Sequence, residues 1–497
     1  MIFRFFVYGI VIVILSDIPN NFGIAYYGAY AIIGFLMLSI CILPFRTALI
    51  LLLMLAIAGK DIVSFGDLAD AQLLYSTSSI WQMRLGPIRP SWFVFTVILC
   101  QFFKARKITL PPFINRAILW FATVPVITGL IYGGFFGDYA SIEVVRDLKF
   151  PLMLLMSTIL FLSLYRTDPR NLTLVLSVFV GVLLARHFID LLYFVANFGP
   201  AIAEGVNRVS EDSAKGGVVF LIFFGVILIW VRKRVLLGSA ITILSILLLA
   251  TYGTRMLWLT FLLGGIVLLS ILGIRRSVFF VSMMGLLTTV SIWTLFITKP
   301  ESLEVITARS ITITQGRDVS KFDVGVNPNI ISRIDPVRFA EGLNIIDSVK
   351  RRNAYMWGMG YGGFYDDIAL KFPLILIKAS AFPDYSFETG KFYSAHFFPL
   401  VIYLKYGLLG LVLIPALWII PGSNIFRKLR NRNIFSKGKP MLLNGMMLCM
   451  VAFLVTAMFQ LYWSGKGLFI NGMIIASCVE FTKQYQNLHK IKVLEND

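Results

Sequence analysis

At 497 residues, with 58% hydrophobic and only 14% charged side chains, the chain lies far from the composition of soluble domains, in which about 25% of residues carry charge. Apolar runs near the length needed to cross ~30 Å of hydrocarbon recur along it, so the expected fold class is all-α, a polytopic membrane protein. The formal net charge of +19 does not argue for nucleic acid, because the basic residues gather in short turns between apolar runs, where the positive-inside rule puts them.

In chain order, MIFR followed by FFVYGIVIVIL resembles a signal sequence, but no small-residue cleavage site follows, so it reads as an uncleaved first span near 3–18. Further spans fall near 22–43, 46–59, 90–103, 113–134, 150–165, 171–197, 216–231, 235–253, 256–273, 277–297, 399–420, 441–462 and 467–482. That makes about fourteen transmembrane helices. The basic turns around Arg46, Lys104–Lys107, Arg166–Arg170, Arg232–Arg234, Arg275–Arg276 and Arg427–Lys439 then share one side with both termini, which is the cytoplasm. Residues 1–297 hold the first spans, 298–398 form one large, partly helical extracytoplasmic loop, and 399–497 hold the last spans and a cytoplasmic tail. Cys41, Cys100, Cys449 and Cys478 all fall in apolar spans. No spacing pairs them, so neither a disulfide nor a metal site is expected.

Polar residues inside or beside these spans are the informative ones. The stretch IEVVRDLK, residues 142–149, reads as an interfacial helix feeding the sixth span, with Arg146 and Asp147 as anchors near the membrane surface. Arg186, His187 and Asp190 lie deep in the seventh span. Ionisable groups at such depth face a cavity or one another. The i, i+4 spacing of Arg186 and Asp190 permits a pair on one helix face. Either a self-neutralising salt bridge or the wall of a polar cavity fits. Arg255, in the short turn TYGTR, sits at the outer boundary of its span, where an arginine can snorkel to head groups or meet a ligand.

The large loop begins without periodicity over 298–332. At Asp335–Pro336 an N-cap and a first-turn proline open a helix. Val337, Ala340, Leu343, Ile346 and Val349 then recur at helical spacing to about Arg352. Arg333 precedes this helix, Arg338 lies in its first turn, and Arg351 and Arg352 end it. GMGYGGF, residues 358–364, has no strand–helix unit around it, so it reads as a tight turn against the membrane face and not as a dinucleotide loop. Asp366 and Asp367 read as a solvated turn, since no third metal ligand is spaced to help them. His396 stands at the mouth of the next span, and imidazole exchanges a proton near neutral pH. Gly407 and Gly410 would let a neighbouring helix approach closely. A histidine with arginines and no metal ligands suits transfer from a diphosphate leaving group: guanidinium forks clamp phosphate oxygens and the base deprotonates an acceptor hydroxyl.

At these residues the chain resembles the superfamily of bacterial O-antigen ligases and O-antigen or exopolysaccharide polymerases. The likeness is carried by His396 with Gly407 and Gly410 at the ligase-type spacing, by Arg255 in TYGTR, and by SRIDPVRFAEGLNIIDSV running to GMGYGG. It covers roughly 235–420 and the overall topology. The resemblance implies lipid-linked glycosyl transfer on the outer face of the bacterial inner membrane. The donor would be a glycan on undecaprenyl diphosphate, with no cofactor or metal. Arg255 and one of Arg333 or Arg338 would hold the diphosphate, and His396 would act as base or orient the acceptor. Implied partners are the lipid bilayer and the pathway's chain-length regulator and flippase. Phe397 stands where ligases carry Asn, Ser or Gln, which with the span count favours a polymerase over a ligase. Outside enzymes, a transporter of lipid-linked sugars would use Arg186, His187 and Asp190, and would show related halves; none are visible here. A non-catalytic assembly scaffold would need neither His396 nor Arg255.

Overall fold

The computed structural model describes residues 1–16, 26–59, 90–105, 113–137, 139, 141–197, 216–232, 234–252, 255–272, 274–298, 336–370, 389–393, 395, 397–430, 443–451 and 465–494. These are helical apart from short turns, and the sole extended pairing among them is an isolated antiparallel bridge between Tyr365 and Phe392. Apolar helices run α1 (Ile2–Ser16), α2 (Tyr26–Ile42), α3 (Phe45–Ala58), α4 (Pro90–Lys104), α5 (Phe113–Ile131), α6 (Ser141–Thr167), α7 (Arg170–Asn197), α8 (Gly216–Arg232), α9 (Val235–Tyr252), α10 (Arg255–Leu272) and α11 (Ile274–Thr298). The amphipathic α12 (Pro336–Arg351) follows, then α13 (Phe398–Arg430), α14 (443–451) and α15 (Gly465–Leu494). Three of them, over Ser141–Thr167, Arg170–Leu192 and Phe398–Arg430, are long and apolar enough to cross a membrane, and several shorter apolar helices accompany them. The chain is a membrane protein by this measure. All four cysteines are free thiols.

Large apolar side chains are both buried and exposed, which is how a bundle in lipid differs from a soluble core. Phe161, Phe179, Phe220 and Phe224 are enclosed, while Leu236 is 89% exposed and Val412 is 71% exposed. Such outward side chains would be an aggregation hazard in water. The closest packing is between α8 and α9, α1 and α7, and α6 and α15, with α13 laid along α5. The interfacial helix expected at 142–149 is not separate from the span after it, since α6 runs unbroken from Ser141 to Thr167 with Pro151 inside.

The irregular feature that positions everything else is a break in α13. Gly407 has φ 61° and ψ −154°, a region that essentially glycine alone enters. In an unbroken helix the N–H groups of residues 408 and 409 would bond to the carbonyls of 404 and 405. Here the loop takes both sides of the gap. Leu408 N donates to Tyr355 O at 2.8 Å and Leu409 N to Met356 O at 3.1 Å, while Leu404 O accepts from Met359 N at 2.7 Å and Lys405 O from Gly360 N at 3.0 Å. Gly407 and Gly410 were expected to admit a neighbouring helix. What sits against Gly407 is the loop backbone instead, and a Cβ on Gly410 would meet the Tyr406 side chain of its own helix.

The same loop docks on α5, whose last turn widens into a π-helical turn over Tyr132–Phe136, a feature often found at functional sites. Tyr361 N donates to Gly129 O at 2.9 Å. A Cβ on Gly133 would collide with the Tyr361 carbonyl. Two replacements test this seat. Gly407→Ala forces a Cβ within 2.5 Å of Met356 and Gly358 backbone atoms at a strained φ, and should cost on the order of 3 kcal/mol. Gly133→Ala should expose the loop to protease. Gly285→Ala, whose Cβ would meet nothing within 4 Å, should leave thermal stability in detergent unchanged. Equal melting temperatures for all three would show that the loop does not depend on this seat.

Candidate functional site

The loop head is a small packed unit. Ala340, Ile345 and Val349 of α12 pack with Met359, Tyr365, Phe392 and Leu404. Asn344 bonds Leu370 twice, donating to its carbonyl at 2.7 Å and accepting from its N–H at 2.8 Å. Tyr365 bonds the buried Glu341, and burial pushes its phenol well above the usual tyrosine range, with the nearby Glu341 charge adding to the rise. Because Leu404 belongs to α13, this core fastens the loop to the segment that follows His396.

Beneath the glycine turn lies a buried ion pair that joins three elements. Asp147 of α6 accepts at one carboxylate oxygen, Oδ2, from Lys405 Nζ at 2.5 Å and from Gly362 N at 2.9 Å. Lys405 Nζ also donates to Gly363 O at 2.6 Å. Lys405 is 4% exposed, and an ammonium so enclosed is tolerable only with a counter-charge and filled donors. The turn geometry serves this: Gly358, Gly360 and Gly362 all have positive φ, at 70°, 73° and 77°. These turns bring both the Gly362 N–H and the Gly363 carbonyl onto the pair. The anchors read at Arg146 and Asp147 are therefore parts of a tertiary joint, with Arg146 paired to Glu143 and lying 3.8 Å from Asp147 Oδ1.

At the end of α12, Arg351 donates to Asp347 at 2.7 Å and pairs with Asp366. Asp366 N in turn donates to Ser348 Oγ at 3.3 Å. Asp366 was expected in a solvated turn; it ties the glycine turn to α12. Arg352 donates to Phe364 O at 3.3 Å and to Tyr139 Oη at 3.4 Å. Burial pushes the Tyr139 phenol up, against the lowering effect of Arg352, so it stays a neutral acceptor. Among the described residues no group of three metal-ligating side chains occurs.

The residues expected to carry function fall unevenly on this picture. Arg186 and Asp190 do pair: Arg186 Nε donates to the two carboxylate oxygens at 3.1 and 3.2 Å, and Nη1 donates to Ala58 O at 3.0 Å. With His187 beside them they are fully buried, at 0–1% exposure, and join α7 to the end of α3. They are not near the loop in sequence or through any of these bonds. Arg255 begins α10 and Arg338 lies in the first turn of α12, but their side chains, like all of Arg333 and His396, lie outside the described residues. Lys405 is the residue that sequence reasoning missed. Its signal was there: a lysine inside an apolar span calls for a partner. Asp147, 258 residues away, is that partner.

Compared with known proteins, the chain matches no family model, no curated protein and no solved structure.

The ion pair should behave as a coupled unit. Lys405→Met alone leaves the largely enclosed Asp147 carboxylate without its ammonium partner and should cost up to about 3 kcal/mol, read as a lower melting temperature in detergent. Adding Asp147→Asn to it should recover part of that loss, because Asn still accepts from Gly362 N. Strictly additive losses in the double variant would mean the two groups do not depend on each other.

Proposed function

We propose that this chain is a polysaccharide polymerase of the bacterial inner membrane. It would transfer a glycan from undecaprenyl diphosphate to another lipid-linked repeat on the outer face, with about fourteen spans and both termini in the cytoplasm. The observation that carries the reading is the joint between loop and helix: the arginine-bearing α12 and the start of α13, two residues after His396, are packed as one body through the splice at Gly407. That is what a site needs if arginines from the loop and a base at the helix mouth are to act on one substrate, since catalytic groups must be held in fixed relation.

In the step envisaged, a hydroxyl oxygen of the acceptor bonds to the anomeric carbon of the donor glycan. The bond from that carbon to the diphosphate breaks, and undecaprenyl diphosphate leaves with the electron pair. His396 takes the hydroxyl proton, and Arg255 with Arg333 or Arg338 steadies the charge that grows on the diphosphate. A small apolar crevice lined by Pro125, Pro151, Phe398, Tyr406, Trp418 and Leu468 adjoins the same part of α13.

A transporter of lipid-linked sugars is the second reading, favoured by one observation, since a broken helix and buried charges are the usual furniture of transport sites. Here, however, the groups freed at the break bond the loop and are not left to a solute. The test is purified protein in lipid with an undecaprenyl-diphosphate-linked oligosaccharide as sole substrate, without nucleotide. A ladder of longer lipid-linked glycans is expected, reduced about 100- to 10,000-fold in His396→Ala. Transfer only after lipid A core is supplied would make the chain a ligase. Silence with both acceptors, but sugar flipping in vesicles, would replace the reading with transport.

A further inference from the structure

Not every cation around the loop head is paired with a carboxylate. Arg146 pairs with Glu143 and Asp147, Lys405 with Asp147, and Arg351 with Asp347 and Asp366. Arg352 and Lys391 have no carboxylate partner among the described residues, and both are exposed. They converge on one ring. The Arg352 guanidinium lies 4.5 Å from the centroid of Phe364 and Lys391 Nζ lies 4.9 Å from it. Phe364 is in turn flanked by Tyr139 at 5.9 Å and Tyr393 at 5.8 Å, and Arg146 stacks on Tyr393 at 5.1 Å.

An aromatic face attracts a cation only modestly at an exposed site, and two like charges gathered at one ring repel. The fold nevertheless holds Arg352 there through the Phe364 carbonyl and the Tyr139 hydroxyl. Two cations held at one exposed ring suit an anionic ligand. Among anions, a phosphate has the oxygens to accept both from the planar fork of an arginine and from the point charge of a lysine. The surroundings specify how that phosphate arrives. Trp357 stacks on Tyr132 at 5.9 Å, and Phe135, Phe136 and Met356 are exposed beside them, a cluster of the kind that sits at the head-group level of a bilayer.

We infer that Arg352 and Lys391, set about the Phe364 ring, form a binding site for the phosphate group of a lipid head group. The inference deepens the function proposed above and rests on it only for the identity of the lipid. Arg352 and Lys391 are distinct from the Arg255, Arg333 and Arg338 assigned there.

The test is binding to the purified full chain in nanodiscs of zwitterionic lipid, with three probes: undecaprenyl diphosphate, phosphatidylglycerol and inorganic diphosphate. Arg352→Gln/Lys391→Gln should weaken undecaprenyl diphosphate at least tenfold, and Lys391→Gln alone, at an exposed position, should weaken it measurably without lowering the melting temperature. Arg427→Gln, at the far end of α13, should change nothing. A parallel loss of phosphatidylglycerol binding would support the site and name bulk lipid as its source; competition by inorganic diphosphate would support it and show that the phosphate alone is recognised. Unchanged binding of all three probes in Lys391→Gln and in the double variant would overturn it. Because the assay reads binding, loss of probe from a chain that makes no glycan ladder would sink the polymerase reading and leave this site standing. A ladder made by wild type, with binding untouched in the variants, would do the reverse.

Discussion

Everything described around the loop head depends on two missing rungs in one helix. Inside a membrane there is no water to bond a freed N–H or carbonyl, and each such group left bare costs several kcal/mol. At Gly407 the chain gives up the bonds between 404–405 and 408–409 and replaces them with four to the backbone of 355, 356, 359 and 360. The loop is therefore not an appendage resting on the bundle. Without it α13 could not break at Gly407, and without the break the turn at 358–363 would have no seat.

The ion pair follows from the same constraint. Bringing a loop down to the break puts the Gly362 N–H and the Gly363 carbonyl next to α6 and α13, where they also need partners. Asp147 and Lys405 supply them and neutralise each other. A pair this enclosed adds little net stability, because desolvating two ions offsets most of their attraction. Its effect is to hold register: this placement of the glycine turn satisfies both charges and both backbone groups. The Arg186–Asp190 pair is built differently. It lies within one helix and reaches a carbonyl at the end of α3, so it ties α7 to α3.

Seen together, the loop head has a layered character. A dry core of α12 side chains and the Tyr365–Phe392 bridge gives it shape, the buried pair gives it position, and an outer layer of arginine, lysine and aromatic rings is what it presents to its surroundings. Functional groups on loops act well only when a rigid scaffold holds them. Here the scaffold is the broken helix that starts just after His396.

The sequence by itself determined the all-helical class and where most of the described helices lie, because apolar runs and a first-turn proline such as Pro336 are local signals. The amphipathic period of α12 and the i, i+4 pairing of Arg186 with Asp190 were legible for the same reason: their partners lie within one or two helical turns. The glycines at 358–363 and at 407 were visible, but each was read alone, as a turn and as a packing surface. Only the tertiary structure could show that they meet, since the φ of Gly407 is set by backbone 50 residues or so upstream in the chain. Likewise Lys405 was an anomaly in an apolar run with no local partner, and Asp147 a surface anchor. The pair between them exists because folding carries α6 against α13, and a bond between residues so far apart leaves no periodic trace in either stretch.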